Sequence, residues 1–151
     1  MKRLLWPLPA VSLTARLIAI ASIGSFVSSL FLPAFFTGSR EWPGFELFLM
    51  GWLGTTMLQF GWYANPLLFA SWWLGWHDKY AAALLAGGLA TLLALSARLM
   101  TTVMDYSSGG AQITAFAEGF TLWVVSCAIA AVGFGIIAAW SFLRGSPKNA
   151  N

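Results

Sequence analysis

The sequence predicts an all-α integral membrane protein in which one domain, residues 1–151, holds four transmembrane helices. Three observations predict this fold class. Hydrophobic residues make up 59% of the chain and charged residues only 9%, whereas soluble domains carry about 25% charged residues. The apolar residues fall into long stretches, and about 20 such residues are needed to cross a bilayer. The charged residues lie at or near the ends of these stretches. This pattern excludes a water-soluble globule, a disordered chain and a coiled coil.

The first predicted span covers residues 17–36. Lys2 and Arg3 precede it and resemble the start of a signal peptide. The apolar stretch is 20 residues long, however, and the apolar part of a cleavable signal is about 7–15 residues. We therefore expect a retained transmembrane helix, followed by a polar turn over residues 37–44.

The second apolar stretch, Phe45 to Trp76, is too long for one straight crossing. A helix of about 30 residues would extend about 45 Å, and the hydrocarbon core is about 30 Å thick. Proline removes a backbone donor and disfavours helical geometry at the residue before it. We therefore predict a spanning helix over 45–64, a break or kink at Asn65-Pro66, and a short interfacial helix over 67–76.

The third and fourth predicted spans cover residues 81–104 and 120–143. Cytoplasmic segments are enriched in Lys and Arg, and a cytoplasmic N-terminus places six such residues inside and two outside. The six are Lys2, Arg3, Arg16, Lys79, Arg144 and Lys148, and the two are Arg40 and Arg98. The count predicts a multi-pass protein of the bacterial inner (plasma) membrane with both termini in the cytoplasm.

Small residues recur at fourfold spacing in the last two spans. Ala82, Ala86 and Ala90 lie in the third span, and Ala131, Gly135 and Ala139 lie in the fourth. Small residues at this spacing let helix backbones approach closely in lipid. We expect these rows to be helix-docking faces, either within a four-helix bundle or between subunits.

Arg98 lies near the outer end of the third span, and charges inside a span usually pair or reach for the interface. Its candidate partners at the same face are Asp105, Glu118 and Glu46. Three interpretations stay open for this group. It forms a structural ion pair, a proton or cation relay at the outer mouth, or a charge that binds a partner.

Two further polar residues, Gln59 and Asn65, interrupt the second apolar stretch. On a continuous helix Gln59 and Tyr63 would share one face, because they are four residues apart. Such a stripe lines a small pore, binds a lipid headgroup or bonds to neighbouring helices. Asn65 is expected to satisfy the backbone groups freed by Pro66.

The sequence contains no pattern that predicts catalysis. A single cysteine, Cys127, and a single histidine, His77, exclude zinc sites, Fe–S clusters and bis-His haem. A nucleophile elbow and a glycine-rich phosphate loop are both lacking. The net charge of +3 is explained by membrane orientation, so we predict no catalytic residue, metal, cofactor or nucleic acid.

Two motifs carry a resemblance. Residues 60–68 read Phe-Gly-Trp-Tyr-Ala-Asn-Pro-Leu-Leu, and Leu122-Trp123-x-x-Ser126 follows later. Together they resemble a group of small, uncharacterised four-span bacterial inner-membrane proteins, over the region from about Leu47 to Ala139. The resemblance implies the four-span topology and carries no activity to any residue of this chain.

The function that we predict is non-enzymatic. The chain would be an accessory subunit, an assembly factor or a toxin-immunity protein that interacts with membrane lipid and with a protein partner or its own copies. The alternative is a small homo-oligomeric transporter or channel, since broken helices often mark binding sites in transporters. A third possibility is a pigment- or haem-associated subunit that uses His77 as a single ligand.

Overall fold

The computed structural model describes residues 9–38, 40–103 and 110–145, which form a helical bundle with a small β-sheet at one end. The α-helices are α1 Pro9–Phe31, α2 Gly44–Met50, α3 Ala64–Trp76, α4 Tyr80–Ser96 and α5 Glu118–Gly145. Three 3₁₀ helices cover Gly51–Met57, Gly61–Tyr63 and Ala97–Leu99. The strands are β1 Pro33–Thr37, β2 Arg40–Pro43, β3 Thr102–Val103 and β4 Ala111–Phe116. They form an antiparallel sheet in the order β2-β1-β4-β3.

Three helical segments are long and apolar enough to cross a membrane. They are Val11–Phe31, Tyr80–Leu99 and Glu118–Arg144. The last of these runs antiparallel to the first, because the Ser25 hydroxyl donates to the Leu122 carbonyl and Gly133 lies against Ile18. The predicted fourth span, 120–143, lies entirely within α5.

The prediction of an all-α fold is wrong at the ends of the first and third spans. Helix α1 ends at Phe31, because Pro33 disfavours helical geometry at the residue before it, and residues 33–37 form β1. Helix α4 ends at Ser96 and is followed by a 3₁₀ turn and β3. The last residue predicted for that span, Met104, lies outside the described residues.

The predicted second span also differs from the structure. Residues 45–64 do not form one helix, because α2 ends at Met50 and the chain turns at Leu58, whose φ is 59°. The predicted break at Asn65-Pro66 is therefore misplaced. Pro66 lies in the first turn of α3, where backbone N–H groups have no helical partner and a missing one costs little.

Helix α3 packs along α4 and begins at Ala64, three residues before the short helix predicted over 67–76. The Ser71 hydroxyl donates to the Ala83 carbonyl at 2.7 Å, and Gly61, one turn before α3, lies against Ala97. The earlier residue, Gly61, contacts the later part of the α4 segment, and the later residue, Ser71, contacts its beginning. The 3₁₀ turn and α3 are therefore antiparallel to α4. Leu68 and Ser71 are completely buried by this packing.

A reciprocal pair of serines joins α1 to α5. The Ser22 hydroxyl donates to the Ser126 carbonyl at 2.8 Å, and the Ser126 hydroxyl donates to the Ser22 carbonyl at 2.9 Å. The indole Nε1 of Trp72 on α3 donates to the Ser22 hydroxyl oxygen at 2.8 Å. One layer of hydrogen bonds therefore connects three helices.

The predicted docking residues of α4 and α5 lie partly in the bundle interior and partly on its outer surface. Ala86, Ala90 and Ala131 are buried, Gly135 lies against Leu84, and Ala82 and Ala139 are exposed. Ala86, Ala90 and Ala131 therefore pack within the chain, in agreement with the expectation of docking inside one bundle.

Gly75 provides the sharpest test of this packing. A methyl group at Gly75 would overlap the ring of the buried Phe134, whereas one at Gly88 would meet nothing within 4 Å. We expect Gly75→Ala to lower the free energy of unfolding by about 1–3 kcal/mol, the usual cost of overpacking. Gly88→Ala is the matched control and should be neutral or stabilising by up to about 1 kcal/mol. Unfolding in mixed micelles measures both, and equal effects would contradict the packing.

The serine layer gives a second test. Ser22→Ala leaves the Trp72 indole N–H without its acceptor, whereas Ser126→Ala leaves that bond in place. We expect Ser22→Ala to cost about 1–2 kcal/mol and Ser126→Ala about half as much. The same unfolding assay on the two single variants measures these costs. An equal or larger cost for Ser126→Ala than for Ser22→Ala would contradict the role of Ser22 as the acceptor for Trp72.

Candidate functional site

A cavity of about 420 Å³ lies beneath the sheet, between its inner face and the adjoining ends of the helices. This volume falls within the range of about 300–1,000 Å³ that ligand pockets occupy. The walls come from α1, from the sheet, from α2 and the 3₁₀ helix after it, from the first turns of α3 and α5, and from the 3₁₀ turn that follows α4. The cavity therefore forms where distant segments of the chain meet.

The cavity wall is largely apolar and rich in aromatic rings. Side chains that define it include Phe35, Trp42, Leu47, Met100, Phe120 and Trp123. Phe35 and Trp42 come from the paired strands β1 and β2, which place them on the inner face of the sheet, where both are buried. Apolar side chains make up most of this wall, so it favours an apolar occupant.

One wall of the cavity is a single layer of chain, formed by α2 and the 3₁₀ helix Gly51–Met57. No residue of α2 is buried, and Leu49 is 62% exposed although it also lines the cavity. Phe48 anchors the segment by edge-to-face contacts with Phe26 and Phe69. The Trp62 indole donates to the Phe48 carbonyl at 2.8 Å, which ties this wall to the turn before α3.

The charged side chains at the cavity are Arg40 and Glu46. The guanidinium of Arg40 donates to the Glu46 carboxylate, and their side chains are 45% and 30% exposed. The same guanidinium lies 4.3 Å from the centre of the Trp42 ring, a cation–π arrangement that holds it in place. Glu46, a predicted partner of Arg98, is therefore paired with Arg40.

Asn65 and Gln59 both line the cavity. Asn65 is 4% exposed, and its side-chain oxygen accepts a 2.8 Å hydrogen bond from the Trp123 indole. This bond therefore joins the two motifs that carry the resemblance, residues 60–68 and residues 122–126. The Gln59 amide donates to the Thr102 carbonyl at 2.9 Å. Gln59 and Tyr63 do not share a helical face, because Gln59 lies in the turn between two 3₁₀ helices.

The remaining predicted polar residues are not brought together. The Arg98 guanidinium lies 5.8 Å from the centre of the Phe120 ring, behind the cavity wall. Glu118 is exposed in the first turn of α5, where a negative charge interacts favourably with the helix dipole. Asp105 lies outside the described residues. Across residues 9–38, 40–103 and 110–145, Arg40–Glu46 is the one ion pair.

Sequence reasoning missed Arg40, Trp42, Trp62 and Trp123 as parts of a site. Arg40 entered only as a charge for orientation. A signal for the hairpin was present, since Thr37 pairs with Arg40 across a two-residue connection that starts with Gly38. Aromatic residues on both sides of such a glycine-containing turn are typical of paired strands.

The volume and the mostly apolar wall of the cavity suit the binding of an apolar group. The described segments contain no group of three or more His, Cys, Asp or Glu that could hold a metal ion. The cavity offers apolar surface, one amide at depth and one ion pair. Comparison of the chain with protein-family models, with curated proteins and with solved structures found no match.

Proposed function

We propose that this chain is a non-enzymatic, polytopic membrane protein that binds the apolar part of a partner molecule in the cavity beneath its sheet. The observation that carries the proposal is the cavity itself, which combines ligand-like volume with an aromatic wall and a charged pair. Such a binding role is compatible with an accessory subunit, an assembly factor or a toxin-immunity protein. Each of these acts by holding a partner and needs no catalytic group.

The transporter or channel alternative has less support. Its two candidate residues are Gln59 and Arg98. The Gln59 side-chain amide donates to the Thr102 carbonyl, and the Arg98 guanidinium lies over the Phe120 ring, outside the cavity lining. Further along the bundle, the interior is filled by completely buried side chains that include Leu68, Cys127 and Phe134. A polar path through one copy of the chain would have to displace this layer.

The proposal includes a fourth crossing, formed by the 3₁₀ turn Gly61–Tyr63 together with α3. Helix α3 alone is about 20 Å long, but with the turn before it the segment runs beside α4 as far as Ala97. Helices α1 and α4 are both antiparallel to α5. The chain between α1 and α4 therefore has to return along the bundle, and this segment is the part that does so.

The proposed location is the bacterial inner membrane, with both termini in the cytoplasm. At the end opposite the sheet, cationic side chains lie over tryptophan rings: Arg16 over Trp76, Lys79 over Trp73 and Arg144 over Trp140. Tryptophan is enriched at membrane interfaces, and Lys and Arg are enriched on the cytoplasmic side. These pairs favour this end as the cytoplasmic one and the sheet end as the outer one.

Labelling of introduced cysteines tests the topology. In intact cells, Gly38→Cys in the sheet hairpin should react with a membrane-impermeant maleimide, whereas His77→Cys in the loop before α4 should react only after permeabilisation. The native Cys127 is buried, so the unmodified chain is the background control. Labelling of His77→Cys from outside would contradict the four-span orientation.

Cavity-filling tests the binding function. We expect the chain, purified from native membranes in mild detergent, to carry a bound partner, and Leu47→Trp to lose most of it because the larger ring occupies the cavity. Leu92→Trp is the matched control, since Leu92 is 65% exposed on α4 and lies outside the cavity. Intact mass spectrometry of the three proteins measures the partner. The absence of any bound molecule from the unmodified chain would contradict the proposal.

A further inference from the structure

We propose that the occupant of the cavity is one acyl chain of a zwitterionic membrane phospholipid, with the lipid headgroup at the Arg40–Glu46 pair. The inference rests on the proposed binding function and names the chemical class of the partner. It is carried by the position of the cavity, by the single-layer wall and by the arrangement of the two charges.

The cavity lies next to an apolar outer surface of the protein, on the side formed by α2 and the 3₁₀ helix after it. The sheet covers the cavity with the buried side chains of Phe35 and Trp42. On the side, the wall formed by α2 and the following 3₁₀ helix exposes Leu49 and Trp52 on its outer surface. A long apolar surface of this kind faces acyl chains in a membrane, so the surrounding lipid is the nearest source of an apolar occupant.

The single-layer wall is the part of the cavity that an incoming acyl chain would displace most easily. Its 3₁₀ helix has seven residues, although 3₁₀ runs longer than three or four residues are uncommon because their hydrogen-bond geometry is poor. The segment ends at Leu58, whose positive φ of 59° is unfavourable for a residue with a side chain. Its displacement would therefore cost less than that of a regular helix.

The charges match a headgroup that carries both signs. The Arg40 guanidinium is suited to bind a phosphate through paired hydrogen bonds, and the Glu46 carboxylate is suited to accept hydrogen bonds from an ammonium group. A phosphatidylethanolamine would thus replace each partner of the ion pair with an equivalent charge. Phosphatidylglycerol would leave Glu46 facing a phosphate, and the quaternary ammonium of phosphatidylcholine has no hydrogen to donate.

The test reconstitutes the full chain in vesicles of equal parts dioleoyl phosphatidylethanolamine, phosphatidylcholine and phosphatidylglycerol. After extraction in mild detergent, native mass spectrometry identifies the lipids that remain bound. We expect one phosphatidylethanolamine per chain, in excess over the other two lipids. Leu47→Trp should reduce its occupancy about tenfold, since an overpacked site disfavours the occupant by that order, and Leu92→Trp should leave it unchanged.

Two further variants keep the test decisive. Met100→Trp fills the cavity from another wall and replaces Leu47→Trp if that variant does not fold. The double variant Arg40→Gln with Glu46→Gln should keep a bound lipid while its preference for phosphatidylethanolamine falls about fivefold, the order expected for partly exposed charges. Lipid that survives both cavity-filling variants, or equal binding of the three headgroups to the unmodified chain, would overturn the inference.

The outcomes also separate this inference from the proposed function. If a protein or another apolar molecule from native membranes occupies the cavity and is lost in Leu47→Trp, while no lipid is retained from vesicles, the lipid inference fails and the binding function stands. If neither preparation carries any occupant, both fail. Retention of phosphatidylethanolamine that depends on the cavity and on the two charges supports both.

Discussion

The hydrogen-bonded layer of Ser22, Ser126 and Trp72 is the interaction on which the rest of the bundle depends. In lipid, helices gain no hydrophobic free energy by associating, so close packing and hydrogen bonds between them must supply the stability. This layer joins α1, α3 and α5 at one level. Gly75 beneath the Phe134 ring and Gly87 beside Ala131 bring α3, α4 and α5 equally close. Because these contacts close the interior, the space for a cavity lies at the sheet end.

The sheet end follows from a second requirement of the membrane, that every backbone polar group be satisfied. Irregular backbone is tolerated at membrane depth only where protein covers it or where it lines a cavity. Strand β1 pairs with β4 and so ties the end of α1 to the start of α5, and the Gly44 amide donates to the Leu32 carbonyl. The α2 segment and the 3₁₀ helices then form part of the cavity wall.

Apolar stretches and prolines differ in how closely they mark the elements of this fold. The apolar stretches located α1, α4 and α5, because length and composition suffice to identify a membrane helix. Proline predicted the ends of helices less well. Pro33 ended a helix inside a predicted span, whereas Pro66 began one where a break was expected. Of the polar residues singled out from the sequence, Gln59, Asn65 and Glu46 line the cavity, and Glu46 pairs with Arg40 in place of the expected Arg98.

The sequence by itself determined that this chain has helices long and apolar enough to cross a membrane, and roughly where those helices lie, since these features depend on local composition. The tertiary structure decided the sheet, the cavity and the pairing of Arg40 with Glu46. It also joined Asn65 to Trp123, which are 58 residues apart in the chain. Such contacts depend on how distant segments pack against one another. Local periodicity carries no information about that packing, so only the folded chain brings the site together.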